Sequence, residues 1–214
     1  MILHGYWRSS AAYRVRIALN LKGVDWTHRE VSLVRDGGEH REPSFAQLNP
    51  QMLVPVLESG SSVLTQSMAI IEYLEEVLPD PPLLPDDVTE RAQVRALAMS
   101  VACDVHPLNN LRVLQYLAGE FKIDSRRRSR WYAHWVTEGM RAFEASLARR
   151  PHHSDFCHGD NPTLADVCLV PQIYNARRFE VDLAPFPLIR QVEANCLRLS
   201  AFIDAQPENQ PDAK

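Results

Sequence analysis

Residues 6–19, YWRSSAAYRVRIAL, organise the reading of this chain. Residues 1–6 (MILHGY) lead into them as a short strand. Beyond the turn, Val15, Ala18, Leu19 and Lys22 recur at helical spacing, with Ile17 and Leu21 alongside. Between strand and helix stand Arg8 and two consecutive hydroxyls, Ser9 and Ser10. Either serine suits an N-cap, because the first N–H groups of a helix have no partner within it. A strand that delivers the chain to a helix N-terminus carrying two hydroxyls and an arginine is a ready site for an anion or a thiolate.

Outward from that turn, the chain divides into two kinds of pattern. Gly23 stops the first helix, and residues 26–33 (WTHREVSL) alternate as a strand. Residues 35–39 (RDGGE) make a surface loop, and 44–48 allow a short helix before Asn49-Pro50. Residues 51–58 (QMLVPVLE) predict a strand carrying a proline, 59–61 a turn, and 62–65 the hairpin partner. Proline in a strand belongs at an edge or a bulge. A cis Val54–Pro55 bond is the alternative and would turn the Val54 backbone outward. Gln66-Ser67 opens a helix over 68–78 with Ile70, Ile71, Leu74 and Leu78 on its inner face. This order predicts a small mixed sheet flanked by helices.

Residues 79–85 (PDPPLLP) hold four prolines and read as a stiff linker. Everything beyond reads as helical, over roughly 87–118, 125–148, 163–178 and 187–205. Thr163 with Asp166, after Pro162, is a helix-start pattern. The expected domains are therefore 1–80 and 86–214.

Composition narrows the class. Apolar residues make up 45% and charged residues 23% of 214, an ordinary globular balance that excludes disorder. Net charge is −4, with seven basic against ten acidic residues in 1–80 and sixteen against seventeen in 81–214. Neither half is a basic module, so nucleic acid is not an expected partner. An anionic substrate has to be held by local arginines. The four cysteines, 103, 157, 168 and 196, include no C-x-x-C and fit reduced thiols better than a disulfide framework. No run is apolar and long enough to cross a bilayer, and no signal peptide is visible. The expectation is a cytoplasmic protein with no membrane partner.

Six segments together carry a family resemblance: WRSSAAYRVRIALNLKG (7–23), LNPQMLVPVLE (48–58), LTQSMAIIEYLEE (64–76), DVHPLNNLRVLQYL (104–117), PTLADVCLVPQIYNARRFEVDL (162–183) and QPDA (210–213). With them the chain resembles a cytosolic glutathione transferase of the zeta class over almost its whole length. That resemblance implies a thioredoxin-like N-terminal domain followed by an all-helical C-terminal domain. It also implies glutathione as cofactor, a homodimer, and cis–trans isomerisation of maleylacetoacetate to fumarylacetoacetate in aromatic amino-acid catabolism. Maleylpyruvate isomerisation, a conjugating transferase or dehalogenase, and a non-enzymatic glutathione-binding protein are the alternatives. Where the class usually has Ser-Ser-Cys, this chain has Ser9-Ser10-Ala11, so the sulfur has to come from glutathione.

The resemblance implies roles residue by residue. Ser9 or Ser10 donates a hydrogen bond to the glutathione sulfur, which lowers the thiol pKa. Gln66 and Ser67 hold the γ-glutamyl carboxylate, the Val54 backbone pairs with the cysteinyl unit as an added strand does, and Gln51 reaches the glycyl end. His106 and Asn110, with Asn109 beside them, face glutathione and substrate. Arg8, Arg112 and Arg178 bind substrate carboxylates, for which a planar guanidinium is suited, and Arg8 also takes part in catalysis. Simpler readings compete: helix caps for Ser9, Ser10 and Ser67, an edge proline at 55, a solvated pair for Arg177-Arg178. His152-His153 with Cys157 and His158 read as a surface loop, and no metal is implied. Arg126–Arg128 and Arg130 read as a solvated helix start.

Overall fold

A computed structural model describes residues 1–150 and 154–213. The His152-His153 pair lies outside the described residues. The chain forms two compact units, Met1–Pro82 with Leu197–Lys214, and Leu83–Cys196.

The first unit is built on a four-stranded sheet of order β2-β1-β3-β4, with β1 (Ile2–Gly5), β2 (Thr27–Glu30), β3 (Val56–Ser59) and β4 (Ser62–Thr65). β1 runs parallel to β2 and antiparallel to β3, and β3–β4 is a hairpin. The crossover from β1 to β2 is α1 (Ser10–Leu21). Its buried residues include Ala12, Tyr13, Val15, Ile17, Ala18 and Leu19, and also Arg14 and Arg16. A helix buried on so many sides has neighbours on more than one face, among them α3 (Ser67–Val77) and α9 (Ser200–Asp204). Gly23, at φ 64°, lets the chain reverse after α1, with its N–H bonded to the Asn20 carbonyl. α2 (Pro43–Leu48) lies between β2 and β3.

The strand predicted over 51–58 begins only at Val56. Pro55 has no N–H to give a ladder, its bond to Val54 is cis, and pairing starts after it. The following linker is tied down by Lys22, whose buried ammonium donates to Glu75 at 2.6 Å and to the carbonyls of Pro79 and Pro81 at 3.4 and 2.8 Å. An ammonium has three donors, and all three are used.

The second unit is helical: α4 (Val88–Met99), α5 (Leu111–Gly119), α6 (Ser125–Ala148), α7 (Leu164–Arg178) and α8 (Pro187–Cys196). The run expected over 87–118 is divided. α4 passes into a π-helical turn, Ser100–Val105, then a 3-10 turn, Pro107–Asn109, before Asn110 caps α5. Pro107 lacks the N–H that a continuing helix needs. α7 is buried along nearly its whole length and forms the centre of this unit. Its start is the expected capping box: the buried Asp166 carboxylate accepts from Thr163 N–H, Thr163 Oγ1 and Cys157 N–H, each at 2.8 Å. Burial pushes this carboxyl above its ordinary range, against the pull of those bonds. Glu144 on α6 likewise receives the first N–H groups of α8, from Leu188 and Ile189 at 2.9 Å.

The run expected over 187–205 also divides, at 197–199, and from Leu197 onward the tail packs with the first unit rather than the helical one. The reason is polar. α9 is a single short helix whose carbonyls lack partners of their own. Side chains of α1 supply them: Tyr13 to Phe202 O, Asn20 to Ala201 O, and Arg16 to Ala205 O at 3.0 Å.

No described helix is long and apolar enough to cross a membrane. All four cysteines are free, three of them buried. Burial pushes the Cys157 and Cys196 thiols up, with Asp166 beside them adding to the effect.

Candidate functional site

In the first unit, register alone brings three predicted segments to one end of the sheet. His4 opposes Val56 and Val56 opposes Thr65. The turn leaving β1 (residues 6–9), the residues entering β3 (Val54-Pro55) and those leaving β4 (Gln66-Ser67) therefore share that end.

The turn closes through Ser9 N–H to Tyr6 O at 2.9 Å, and Ser9 is the N-cap of α1, its Oγ accepting from Ala12 N–H at 3.2 Å. A hydroxyl keeps its proton while it accepts, so Ser9 retains a donor. Ser9 is partly exposed, whereas Ser10 is the first helical residue and only 6% exposed. The Arg8 guanidinium lies 4.7 Å from the Trp7 ring centre and donates to the Tyr6 hydroxyl at 3.1 Å. Two aromatic side chains thus hold it in place.

Val54 packs its side chain against the cluster of Val31, Phe45 and Val56. No described residue hydrogen-bonds its N–H or C=O, which leaves a short length of backbone ahead of β3 without a partner. The preceding loop is set by Asn49, a buried residue that accepts from Gln51 N–H at 3.0 Å and donates to Leu53 O at 2.7 Å. Gln66 sits at φ 69°, a region side chains rarely adopt, and donates to Gln51 Oε1 at 2.5 Å. Gln51 and Gln66 are therefore adjacent. Ser67 begins α3 and faces the buried Arg14 guanidinium at 3.4 Å.

In the helical unit, Tyr132 of α6 draws several predicted residues together. Asn109 donates to its carbonyl at 3.4 Å, and its ring stacks on Phe179 at 3.6 Å. Arg178 lies over that same Phe179 ring, 4.9 Å from its centre. The Arg177-Arg178 pair is divided in its work: Arg177 is paired with Glu193, while Arg178 is exposed against the aromatic stack. Leu108 O accepts from Trp131 Nε1 at 2.9 Å, so the segment holding His106 and Asn110 is fastened to α6. Asn110 spends its side chain on capping α5, accepting from Arg112 N–H at 3.1 Å. Arg112 is exposed on the first turn of α5. Arg126, Arg127 and Arg130 are exposed at the start of α6, which Asp124 caps. Among the described residues no group of three or more His, Cys, Asp or Glu is arranged to hold a metal.

Several residues that shape these surfaces are given no role by the sequence pattern. Arg14, Arg16, Tyr132 and Asp212 act through partners distant in sequence, while Asn49 acts on its own loop. Of these, Tyr132 alone lies outside the segments of the family pattern.

Residues 8–77 match the glutathione S-transferase N-terminal domain family. The maleylacetoacetate isomerase of Pseudomonas aeruginosa is 47% identical over 213 residues, which cover 99% of this chain and 98% of that protein. A solved structure of a bacterial maleyl pyruvate isomerase, a zeta-class glutathione S-transferase in its holo form, superposes with TM-score 0.98 at 50% identity, covering all of both chains. The maleylacetoacetate isomerase of Methylobacterium extorquens AM1, solved with malonate and glutathione bound, gives TM-score 0.96 at 38% identity, again over all of both chains. By sequence and by fold, this chain belongs to the zeta-class glutathione transferase family, among the maleylacetoacetate and maleylpyruvate isomerases.

Proposed function

We propose that this protein is a cytoplasmic, homodimeric, glutathione-dependent cis–trans isomerase of maleyl keto-diacids, with maleylacetoacetate as its main substrate. The observation that carries the reading is the grouping, at one end of the sheet, of the Ser9 cap, the unpaired Val54 backbone and the Gln66-Ser67 helix start. Those groups suit a short peptide-like ligand with a thiol and carboxylates. An unpaired main-chain N–H and C=O can pair with an extended backbone as an added strand does, and helix N-termini favour negative charge. Glutathione has this chemistry, and the relative from M. extorquens binds it.

When bound, glutathione supplies a thiolate that adds reversibly to the cis double bond, so that the bond can turn before the sulfur departs. The Ser9 O–H donates toward the sulfur and favours its anionic form, helped by the N-terminus of α1. Val54 pairs its N–H and C=O with the cysteinyl unit. Gln66 and Ser67 hold the γ-glutamyl carboxylate, and Gln51, joined to Gln66, reaches toward the glycyl end. Arg8 takes a substrate carboxylate and offsets the negative charge that develops on the adjacent ketone oxygen as the adduct forms. In the helical unit, Arg112 and Arg178 are assigned to substrate carboxylates, and His106 and Asn110 to glutathione contacts, on the strength of the family pattern. No protein thiol takes part, since Ala11 replaces the family's cysteine.

Maleylpyruvate is the second reading, because relatives of both names match this chain over its whole length. The test follows absorbance of freshly made maleylacetoacetate and, in parallel, maleylpyruvate at catalytic glutathione. Many turnovers per glutathione are expected, faster on maleylacetoacetate. Consumption of glutathione in step with product would replace isomerisation by conjugation, and no turnover with retained binding would leave a binding protein.

A further inference from the structure

Among the chain's last residues is a buried carboxylate whose position has a consequence for the turn that bears Arg8 and Ser9. Asp212 has a side chain only 2% exposed. Its Oδ2 accepts from the Trp7 backbone N–H at 3.0 Å, across 205 positions of sequence, and its Oδ1 stands 3.0 Å from His28 Nε2 on β2. The carbonyl of the same residue, Trp7, is held from the other side by Arg16, which also holds Ala205 O, both at 3.0 Å. The Ser9–Tyr6 bond closes the turn around Trp7 but satisfies neither polar group of Trp7. Those two groups are instead fixed by the tail and by a fully buried arginine. The tail is itself braced: Gln210 donates to the carbonyls of Asp204 and Gln206 at 2.9 and 2.8 Å.

We propose that Asp212 is a positioning residue for the reaction: by holding the Trp7 N–H it sets the turn that presents Arg8 and Ser9. The inference rests on the isomerase reading above. Asp212 touches no reacting atom. A hydrogen bond to a carboxylate is among the stronger ones a backbone N–H can make, and the two residues that follow Trp7 are the guanidinium and the hydroxyl assigned to substrate and sulfur. Burial lowers the pKa of His28, with the Asp212 charge opposing, which favours a neutral imidazole beside the carboxylate.

The test compares wild type, Asp212→Ala and Asp212→Asn as full-length proteins. It reads kcat and KM for glutathione, and the pKa of the bound thiol by titration of thiolate absorbance. Asp212→Ala should lower kcat about 10- to 100-fold, the scale of ångström misplacement, and raise the bound thiol pKa, with KM for glutathione little changed. Asp212→Asn keeps an acceptor for the Trp7 N–H and should restore most of both. A purely structural Asp212 would lower the melting temperature while the folded protein kept the wild-type thiol titration. That result overturns the inference, as does a loss that Asn fails to rescue. If Asp212→Ala does not fold, Asp212→Glu carries the test, since its extra methylene displaces the carboxylate from Trp7. A fall in kcat supports the inference, and wild-type kcat overturns it. Wild type that binds no glutathione overturns the isomerase reading and this inference together; active wild type matched by Asp212→Ala overturns this inference alone.

Discussion

The two serines after Arg8 are neighbours in sequence but not in circumstance. Ser9 caps α1 from outside the helix with its O–H proton available, whereas Ser10 lies within the first helical turn and is buried. The proposed hydrogen bond to the sulfur therefore falls to Ser9 rather than Ser10. Ser9→Ala should lower kcat about a hundredfold, the scale for losing one donor to a developing anion, and should raise the bound thiol pKa. It should also cost about 1 kcal/mol of stability through the lost cap. Its effect on kcat should exceed that of Ser10→Ala by about tenfold or more; equal effects would remove Ser9 from this role. For Arg8 the planar fork matters as much as the charge. Arg8→Lys should raise KM for the diacid about tenfold, because lysine cannot bind a carboxylate bidentately or stack flat on Trp7.

Among the elements, the π-helical turn at Ser100–Val105 does the most to place a predicted segment. It ends against α6 at Gly139, where a Cβ would stand 2.1 Å from Val105 Cγ2. A side chain at 139 therefore has to displace Val105, and with it the residues leading to His106. Gly139→Ala should cost about 1–3 kcal/mol in urea unfolding, the range for overpacking a filled core, despite the higher helix propensity of alanine. A stability gain would show that the two helices can part freely there. The same close approach explains why the chain between α4 and α5 follows α6 so tightly, with Asn109 and Leu108 bonded to Tyr132 and Trp131.

For the whole molecule, acid stability turns on buried histidines. Burial lowers the pKa of His28 and of His40, with Asp212 opposing at the first and Arg41 adding to the effect at the second. As pH falls below about 6.5, the unfolded chain takes up these protons before the folded one does. Their contribution is thus complete above that pH and is lost as pH falls through the lowered folded values. The urea midpoint should drop between about pH 7 and about pH 5.5, and by less in a His28→Gln, His40→Gln double variant. An identical slope in the variant would place the acid sensitivity elsewhere. The proposed homodimer predicts a sedimentation mass twice that of one chain, and a single-chain mass would remove it.

Local chemistry by itself determined the turn at 6–10, the proline-marked boundary after residue 78, the capping box at Thr163 and Asp166, and the sheet–helix order of the first eighty residues. Caps, turns and periodic faces depend on residues within one or two turns of each other, so their causes lie side by side in the chain. The thioredoxin-like and all-helical architecture was readable through the family motifs that these features spell out. Tertiary structure alone decided which serine is exposed, that pairing begins after Pro55 and leaves the Val54 backbone unpaired, and that α4 and α5 are parted by a π-helical turn seated on Gly139. It also sent residues 197–213 back to α1. That last outcome depends on Arg16, Trp7 and Asp212, polar groups bonded across as many as 205 positions of sequence. A buried polar group must find its partner wherever the fold puts one, and spacing along the chain carries no record of that distance.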